Sequence, residues 1–384
     1  MMARITRISV HTHCNDLGGK VWNPAIRWTL KYAVFVVLYD AEGRSGTGEC
    51  WCFDSAPDAL VAFLHSEVAP HFIGESAEDV PQIAERLIAR ATLTARHGIL
   101  MSALSGVDIA AWDLRGQTAG KPLWQLLSAH GTGDAALYAS GGLYGEGKTQ
   151  PMLNTEMAGM AAQGFELIKL KIGALDEEAD IGRINAVLDA VPPATRLIID
   201  GVYSYTADTA LRIFDAVPHE RIEAFQSPTK AWDYAGMTAL SRAGVPVMAT
   251  EAEYRTELHE MLVQDVQVRF LQTAPVACGG ITRVMALQDL AADSDTHLSL
   301  EVSSTAVALV AACQLAAAAP TIAHVEYHTV HKALFNLLDP APDFTKRYPP
   351  PSRAGLGIAL PIAGVPEAFA LCAQEAPFTD KADV

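Results

Sequence analysis

No run of about 18 uninterrupted apolar residues occurs in this chain, so the sequence offers no membrane-spanning helix. Its most apolar stretch, Val307–Pro320 (VALVAACQLAAAAP), is shorter and rich in alanine, which predicts a buried helix. Positive charge is scarce: 28 Lys and Arg stand against 44 Asp and Glu, for a formal net charge of −16. That balance argues against binding nucleic acid or an anionic membrane through the general surface. Any attraction for an anion must come from a local feature. Cysteine is sparse and scattered, at Cys14, Cys50, Cys52, Cys278, Cys313 and Cys372. Only Cys50 and Cys52 are close, and no zinc spacing follows them. The start, MMARITRISVHTH, lacks the apolar core of a signal peptide. The expectation is a cytoplasmic protein with reduced thiols.

What is there suffices for a large core. Half of the 384 residues are hydrophobic, which fits one large domain or two. The first 130 or so residues read as α+β. ARITRISVHTH and YAVFVVLYDAEGRSGTGEC have strand character around an AEGRSG turn, and Leu104, Val107, Ala111 and Leu114 fall at helical spacing before Gly-Lys-Pro. From about residue 135 the texture changes. Eight short apolar segments recur, each followed by a helical stretch: 136–140, 167–172, 196–200, 222–226, 246–250, 268–272, 297–302 and 322–327. This rhythm predicts a parallel β/α barrel. A doubly wound sheet is the competitor, but no Gly-rich phosphate fingerprint follows the first strand. The expected domains are 1–130 as an α+β cap, to which 355–384 returns, and 131–354 as the barrel.

In LIKLKIG (167–173), Lys169 and Lys171 alternate with Ile168, Leu170 and Ile172. An extended chain puts both lysines on one side and the apolar residues on the other. Active sites of such barrels lie at the C-terminal strand ends. The polar residues there are Lys169 and Lys171, Asp200, Gln226, Glu251, Gln272, Glu301, and Glu326 with Tyr327 and His328; His297 opens the seventh strand. Oxygen donors on successive strands suit a hard cation such as Mg²⁺, and a cation with two lysines suits a substrate carboxylate. The chemistry to expect is removal of a proton α to that carboxylate, with the enediolate stabilised by metal and lysine. The second lysine serves as base, its pKa lowered by the crowded cations.

These residues also resemble a known family. SGVDIAAWDLRGQTAGKPLWQLL, YASGGLY, the K-x-K of LIKLKIG, LIID, VPVMATEAEY, CGGIT and GLGIAL, in this order, resemble the enolase superfamily, in the branch of mandelate racemase and the sugar-acid dehydratases. The resemblance implies a modified (β/α)7β TIM barrel under an α+β capping domain. It also implies a mobile capping loop, here about Gly18–Lys31, and a symmetric homo-oligomer. Asp200 and Glu251 match two metal ligands, with Gln226 in the place of a third. Gln226 brings no charge, so Mg²⁺ should bind weakly or not at all. Ala274 stands where relatives carry an Asp or Lys, and no histidine ends the seventh strand. A two-base racemase is therefore disfavoured. The candidate catalytic residues are Lys169, Lys171, Glu301 and His297; the candidate metal ligands are Asp200, Gln226 and Glu251; the candidate substrate contacts are Glu326, Trp22 and Tyr144. The expected function is dehydration of a hydroxylated (sugar) acid, on a small-molecule carboxylate. A cycloisomerase or racemase of another carboxylate, or a catalytically silent carboxylate-binding relative, are the alternatives.

Overall fold

The structure, a computed structural model, describes residues 3–52, 57–91, 93, 96–128, 131, 133–251, 253–335, 347–360 and 364–373. Three strands open the chain: β1 (Ile5–Trp22), β2 (Arg27–Asp40) and β3 (Ser45–Cys50). The barrel region adds β4 (Ala135–Ser140), β5 (Tyr144–Gly145), β6 (Leu167–Lys171), β7 (Arg196–Asp200), β8 (Ile222–Gln226), β9 (Val247–Ala249), β10 (Phe270–Thr273), β11 (His297–Leu300) and β12 (Ile322–His328). Two more follow, β13 (Arg347–Tyr348) and β14 (Glu367–Cys372).

Strands β4 and β6 to β12 pair in sequence order, and β12 pairs with β4, so the parallel sheet closes into an eight-stranded barrel. Helices fill the seven intervals between consecutive barrel strands. The parallel barrel is as the strand rhythm predicted, and its (β/α)7β form with a cap is as the family resemblance implied. The helix Ala306–Ala318 is buried along its whole length, as its composition predicted.

The cap is an antiparallel sheet in the order β14–β1–β2–β3. Its β2 run, AVFVVL, is apolar at every position because both faces are covered. Val34, Val36 and Leu38 join the cap's own core, whereas Ala33 and Phe35 join the barrel's. The long helix His97–Ala119 packs on β3 so closely that a Cβ on Gly48 would sit 2.0 Å from the Gly106 carbonyl oxygen. Gly120, in the left-handed region at φ 63°, ends that helix. Two buried aspartates of this helix tie the molecule together. Asp108 accepts from the Thr282 backbone at 3.0 Å, at the start of a barrel helix. Asp113 accepts from Thr47 and Leu356 backbone amides, each at 2.8 Å, which fastens β3 and the returning chain. Burial raises both carboxyls to about 6. Beyond them β14 pairs with β1; residues 374–384 lie outside the described ones.

The expected capping loop is a continuation of the hairpin. Asn15 to Trp22 pair with Lys31 to Arg27 across a bulge, and Asn23 makes the turn by accepting from the Ala25 and Ile26 amides. Strand β5 then pairs with Val21 and Trp22, so the ribbon rests on the barrel.

Candidate active site

Strand register assembles the site. Lys171 pairs with Asp200, and Asp200 with Gln226, so three polar side chains stand abreast at the C-terminal ends of β6, β7 and β8. The turns that follow hold Val202, Tyr203 and Ser227 at positive φ (46°, 60° and 44°). Such conformations are costly for non-glycine residues and cluster at functional sites.

A cavity of about 230 Å³ lies over these ends. Lys169, Lys171, Asp200, Val202, Tyr203, Gln226, Glu251, Glu301, Ser303, Glu326 and His328 line it from the barrel. Asn23, Ala25, Ile26, Trp28 and Trp51 line it from the cap. Strand alternation sends the lysines inward while Ile168, Leu170 and Ile172 join the outer core.

The charges are paired. Lys169 forms an ion pair with Glu326, donates to Gln226 Oε1 at 3.2 Å and lies 3.8 Å from Asp200. Lys171 pairs with Asp200, whose Oδ1 also accepts the Val202 amide at 3.0 Å. Burial alone would lower the pKa of Lys169, but Glu326, Tyr138 and Asp200 together raise it well above the usual lysine value. The carboxylates around Lys169 outweigh its fellow cation. Burial would raise Glu326, and the attraction of Lys169 and Lys171 overrides that and lowers it. Glu301 goes the other way. Burial, with repulsion from Glu326 and Glu251, pushes it up to about 8, and its Oε2 has no hydrogen-bond partner. Burial and its acidic neighbours thus favour the protonated form of Glu301, while the lysines favour the charged form of Glu326.

Behind Lys171 the backbone is braced. Arg183 donates to the Lys171 carbonyl at 3.1 Å and the Gly142 carbonyl at 2.8 Å. The buried Asp180 accepts from the Gly173 amide at 3.0 Å and the Tyr205 hydroxyl at 2.7 Å.

Of the residues singled out from the sequence, Lys169, Lys171, Asp200, Gln226, Glu251, Glu301 and Glu326 come together here. Three do not line the cavity. His297 sits at the first position of β11, where its ring lies 6.2 Å from Phe270 at the barrel floor. Glu301 is four residues further on, about 13 Å at strand rise. Trp22 lies under the Arg27 guanidinium at 4.4 Å. Tyr144 turns away to donate to Asp180 at 3.2 Å, its ring beneath Arg183. Sequence reasoning gave no role to Trp28, Trp51, Ser303, Asp180 and Arg183, and left His328 unassigned at the end of its strand. A polar phase running Glu326, His328 along β12 was the available signal for the last.

Oxygen donors Asp200, Gln226 and Glu251 stand on adjacent strand ends, and Glu251 accepts from Ser227 Oγ at 3.2 Å. Among the described residues no group of three or more His, Cys, Asp or Glu is arranged to hold a metal, because the middle position is an amide. The oxygen-only set nonetheless fits a hard cation. The lining sets the acidic side chains Asp200, Glu251, Glu301 and Glu326 against two lysines, so an anionic ligand there is favoured by added positive charge.

Comparison with known proteins agrees with this geometry. The family described as "Enolase C-terminal domain-like" matches residues 153–362, and "Mandelate racemase / muconate lactonizing enzyme, N-terminal domain" matches residues 27–128. An arabinonate dehydratase of Saccharolobus solfataricus is 29% identical over 77% of this chain and 79% of its own length. A D-galactarolactone cycloisomerase of Agrobacterium fabrum is 28% identical over 82% of each chain. The crystal structure of a racemase from Streptomyces coelicolor with bound magnesium shares the fold at a TM-score of 0.84, with 22% identity over 94% of this chain and 98% of that one. No helix among the described residues is long and apolar enough to cross a membrane. The chain belongs to the enolase superfamily, with the mandelate racemase / muconate lactonizing enzyme cap and barrel.

Proposed function

We propose that the protein removes the proton α to the carboxylate of a hydroxylated acid and expels a β-hydroxyl from it, as a lyase of the sugar-acid dehydratase type. The observation that carries this reading is the presence, in one cavity, of Lys171 and of Glu301, whose protonated form is favoured. Lys171 is the base. In its neutral form, its ammonium proton first given up to solvent, Lys171 takes the α-proton and becomes an ammonium, and the C–H electron pair becomes the new carbon–carbon double bond. Glu301 is the acid. It gives its proton to the β-oxygen as the C–O bond breaks, and water leaves. The enol so formed tautomerises to a 2-keto acid. Lys169, a fixed ammonium, faces the negative charge that gathers on the substrate carboxylate. The dehydratase relative supports this outcome. The cycloisomerase relative supports isomerisation as the alternative to dehydration.

Asp200, Gln226 and Glu251 would hold Mg²⁺. When bound, the ion adds positive charge beside the substrate carboxylate and so acidifies the α-proton. The oxygen-only donor set and the surplus of negative charge support it, and the neutral Gln226 makes for weak affinity. Calorimetric titration of Mg²⁺ into the metal-stripped protein, beside Gln226→Glu, tests it. Binding by both, tighter in the variant, is the expected result. Binding by the variant alone would remove magnesium from the reading. Absence of α-deuterium exchange in D₂O across a panel of sugar acids would remove the dehydration itself.

A further inference from the structure

His328 lines the cavity and has no part in the reaction above. Its ring is 2% exposed, and its Nδ1 has no hydrogen-bond partner. The ring is nevertheless held firmly. Trp28 of the cap packs on it at 5.0 Å, and His331 lies 4.7 Å from it, so the three rings form one cluster. His331 in turn stacks on Trp28 at 5.4 Å and is bonded through Nε2 to Ser303 at 3.1 Å. A buried ring nitrogen without a partner is uncommon, since an unmade bond carries its desolvation cost. Burial, reinforced by Lys169, Lys171 and Lys31, holds His328 neutral. A neutral imidazole has one donor and one acceptor, which matches an alcohol better than an anion; a ring flip decides which nitrogen meets it.

The rest of the wall points the same way. Among the described residues its cations are Lys169 and Lys171, both at the strand ends, and no arginine contributes to it. Lys31 is buried over the Trp51 ring at 5.5 Å, near Glu49, and is not part of the wall. The cap side consists of Asn23, Ile26, Trp28 and Trp51. Among the described residues no cation lines that side, so a second carboxylate there would lose its hydration without a counterion in contact with it.

We infer that the cavity takes a monocarboxylic hydroxy acid, of the aldonate class, and that His328 on its Trp28–His331 shelf binds a hydroxyl of the neutral tail. Aldarates, with a carboxylate at both ends, are excluded. This rests on the function proposed above for the carboxylate end.

The test compares pentonates and hexonates with aldarates of matched length and configuration, in Mg²⁺ buffer. Binding is read by calorimetry, and turnover by α-deuterium exchange and by kcat and KM. The expected result is that at least one aldonate binds roughly tenfold or more tightly than its aldarate. His328→Leu should raise KM for that aldonate roughly 10- to 100-fold with kcat changed only a few-fold, and His328→Asn should recover part of the loss. Melting curves confirm that each variant is folded; should His328→Leu not fold, His328→Asn alone carries the comparison. The inference is overturned if aldarates bind as well as aldonates, if no aldonate binds, or if the folded variants keep the natural KM. Selective binding without exchange would leave it standing and sink the dehydration instead.

Discussion

The two ends of the barrel's interior bury their side chains equally but treat charge in opposite ways. At the floor Tyr138, Ile198, Ala224, Met248 and Phe270 form an apolar cluster. The histidine packed against it, His324, bonds Ser299 at 3.0 Å and is pushed down to about 3 by burial, so it is neutral. Two residues along the same strands, Ile198 gives way to Asp200 and Ala224 to Gln226, and the mouth begins. There Lys169 (1% exposed), Asp200 (2%) and Glu326 (0%) are as buried as the floor. They keep their charges because each meets its opposite. Burial without a partner silences a titratable group; burial with one fixes it. Glu301 belongs to the mouth by position and to the floor by behaviour, which is why it can carry a proton.

The largest effect that separates the two ends is chemical. Lys171→Met should lower kcat by roughly 10²–10⁴-fold, the usual contribution of a positioned base. Phe270→Ala at the floor should instead cost about 3–5 kcal/mol of stability while the base stays in place. Steady-state kinetics beside thermal melts would read both.

Next comes the ion pair. Lys169→Met leaves Glu326 buried without its partner and should cost about 3–5 kcal/mol in denaturant unfolding. Adding Glu326→Leu should restore most of that stability while activity stays absent, because the pair is then replaced by floor-like packing. If the double variant stays as unstable as the single one, packing rather than charge divides the two ends.

A smaller effect depends on pH. Glu301 is raised from its ordinary value near 4.5 to about 8. A raised carboxyl favours the fold below its unfolded pKa, and that contribution is lost as pH climbs toward 8. Glu301→Gln should therefore match the natural protein in stability at pH 4 and exceed it, by ~1–3 kcal/mol, at pH 9. The natural enzyme's kcat/KM should fall above about pH 8, where Glu301 loses its proton. A pH-independent stability difference would show that Glu301 is ionised throughout.

Much of this contrast was legible in the sequence. The barrel followed from eight apolar runs at regular spacing, and the inward lysines followed from strict alternation in LIKLKIG. Asp200, Gln226 and Glu251 could be placed because each ends or follows a strand, and strand ends are where barrels carry chemistry. What the sequence withheld depends on long-range partners. Lys169 has its pKa set by Glu326, which lies 157 positions along the chain by their residue numbers. Tyr144 looked like a cavity residue until Asp180 claimed its hydroxyl. His328 sits two residues after Glu326 on the same strand face, but nothing local says that Trp28 of the cap holds its ring.

The smallest expected effect sharpens the comparison most, because it uses one strand. His297 and Glu301 share β11's inward phase, and a sequence alone makes both candidates for catalysis. His297 stands at the floor, partly exposed and against Phe270. Its position, about 13 Å of strand from Glu301, keeps it out of reach of the cavity. His297→Gln should leave kcat and KM within about twofold and change stability by less than ~1 kcal/mol, as for a substitution outside the core. Glu301→Gln, on the same strand, should remove most of the turnover. A large kinetic loss from His297→Gln would mean that the floor communicates with the chemistry, and that the division between the two ends of the barrel is one of distance but not of function.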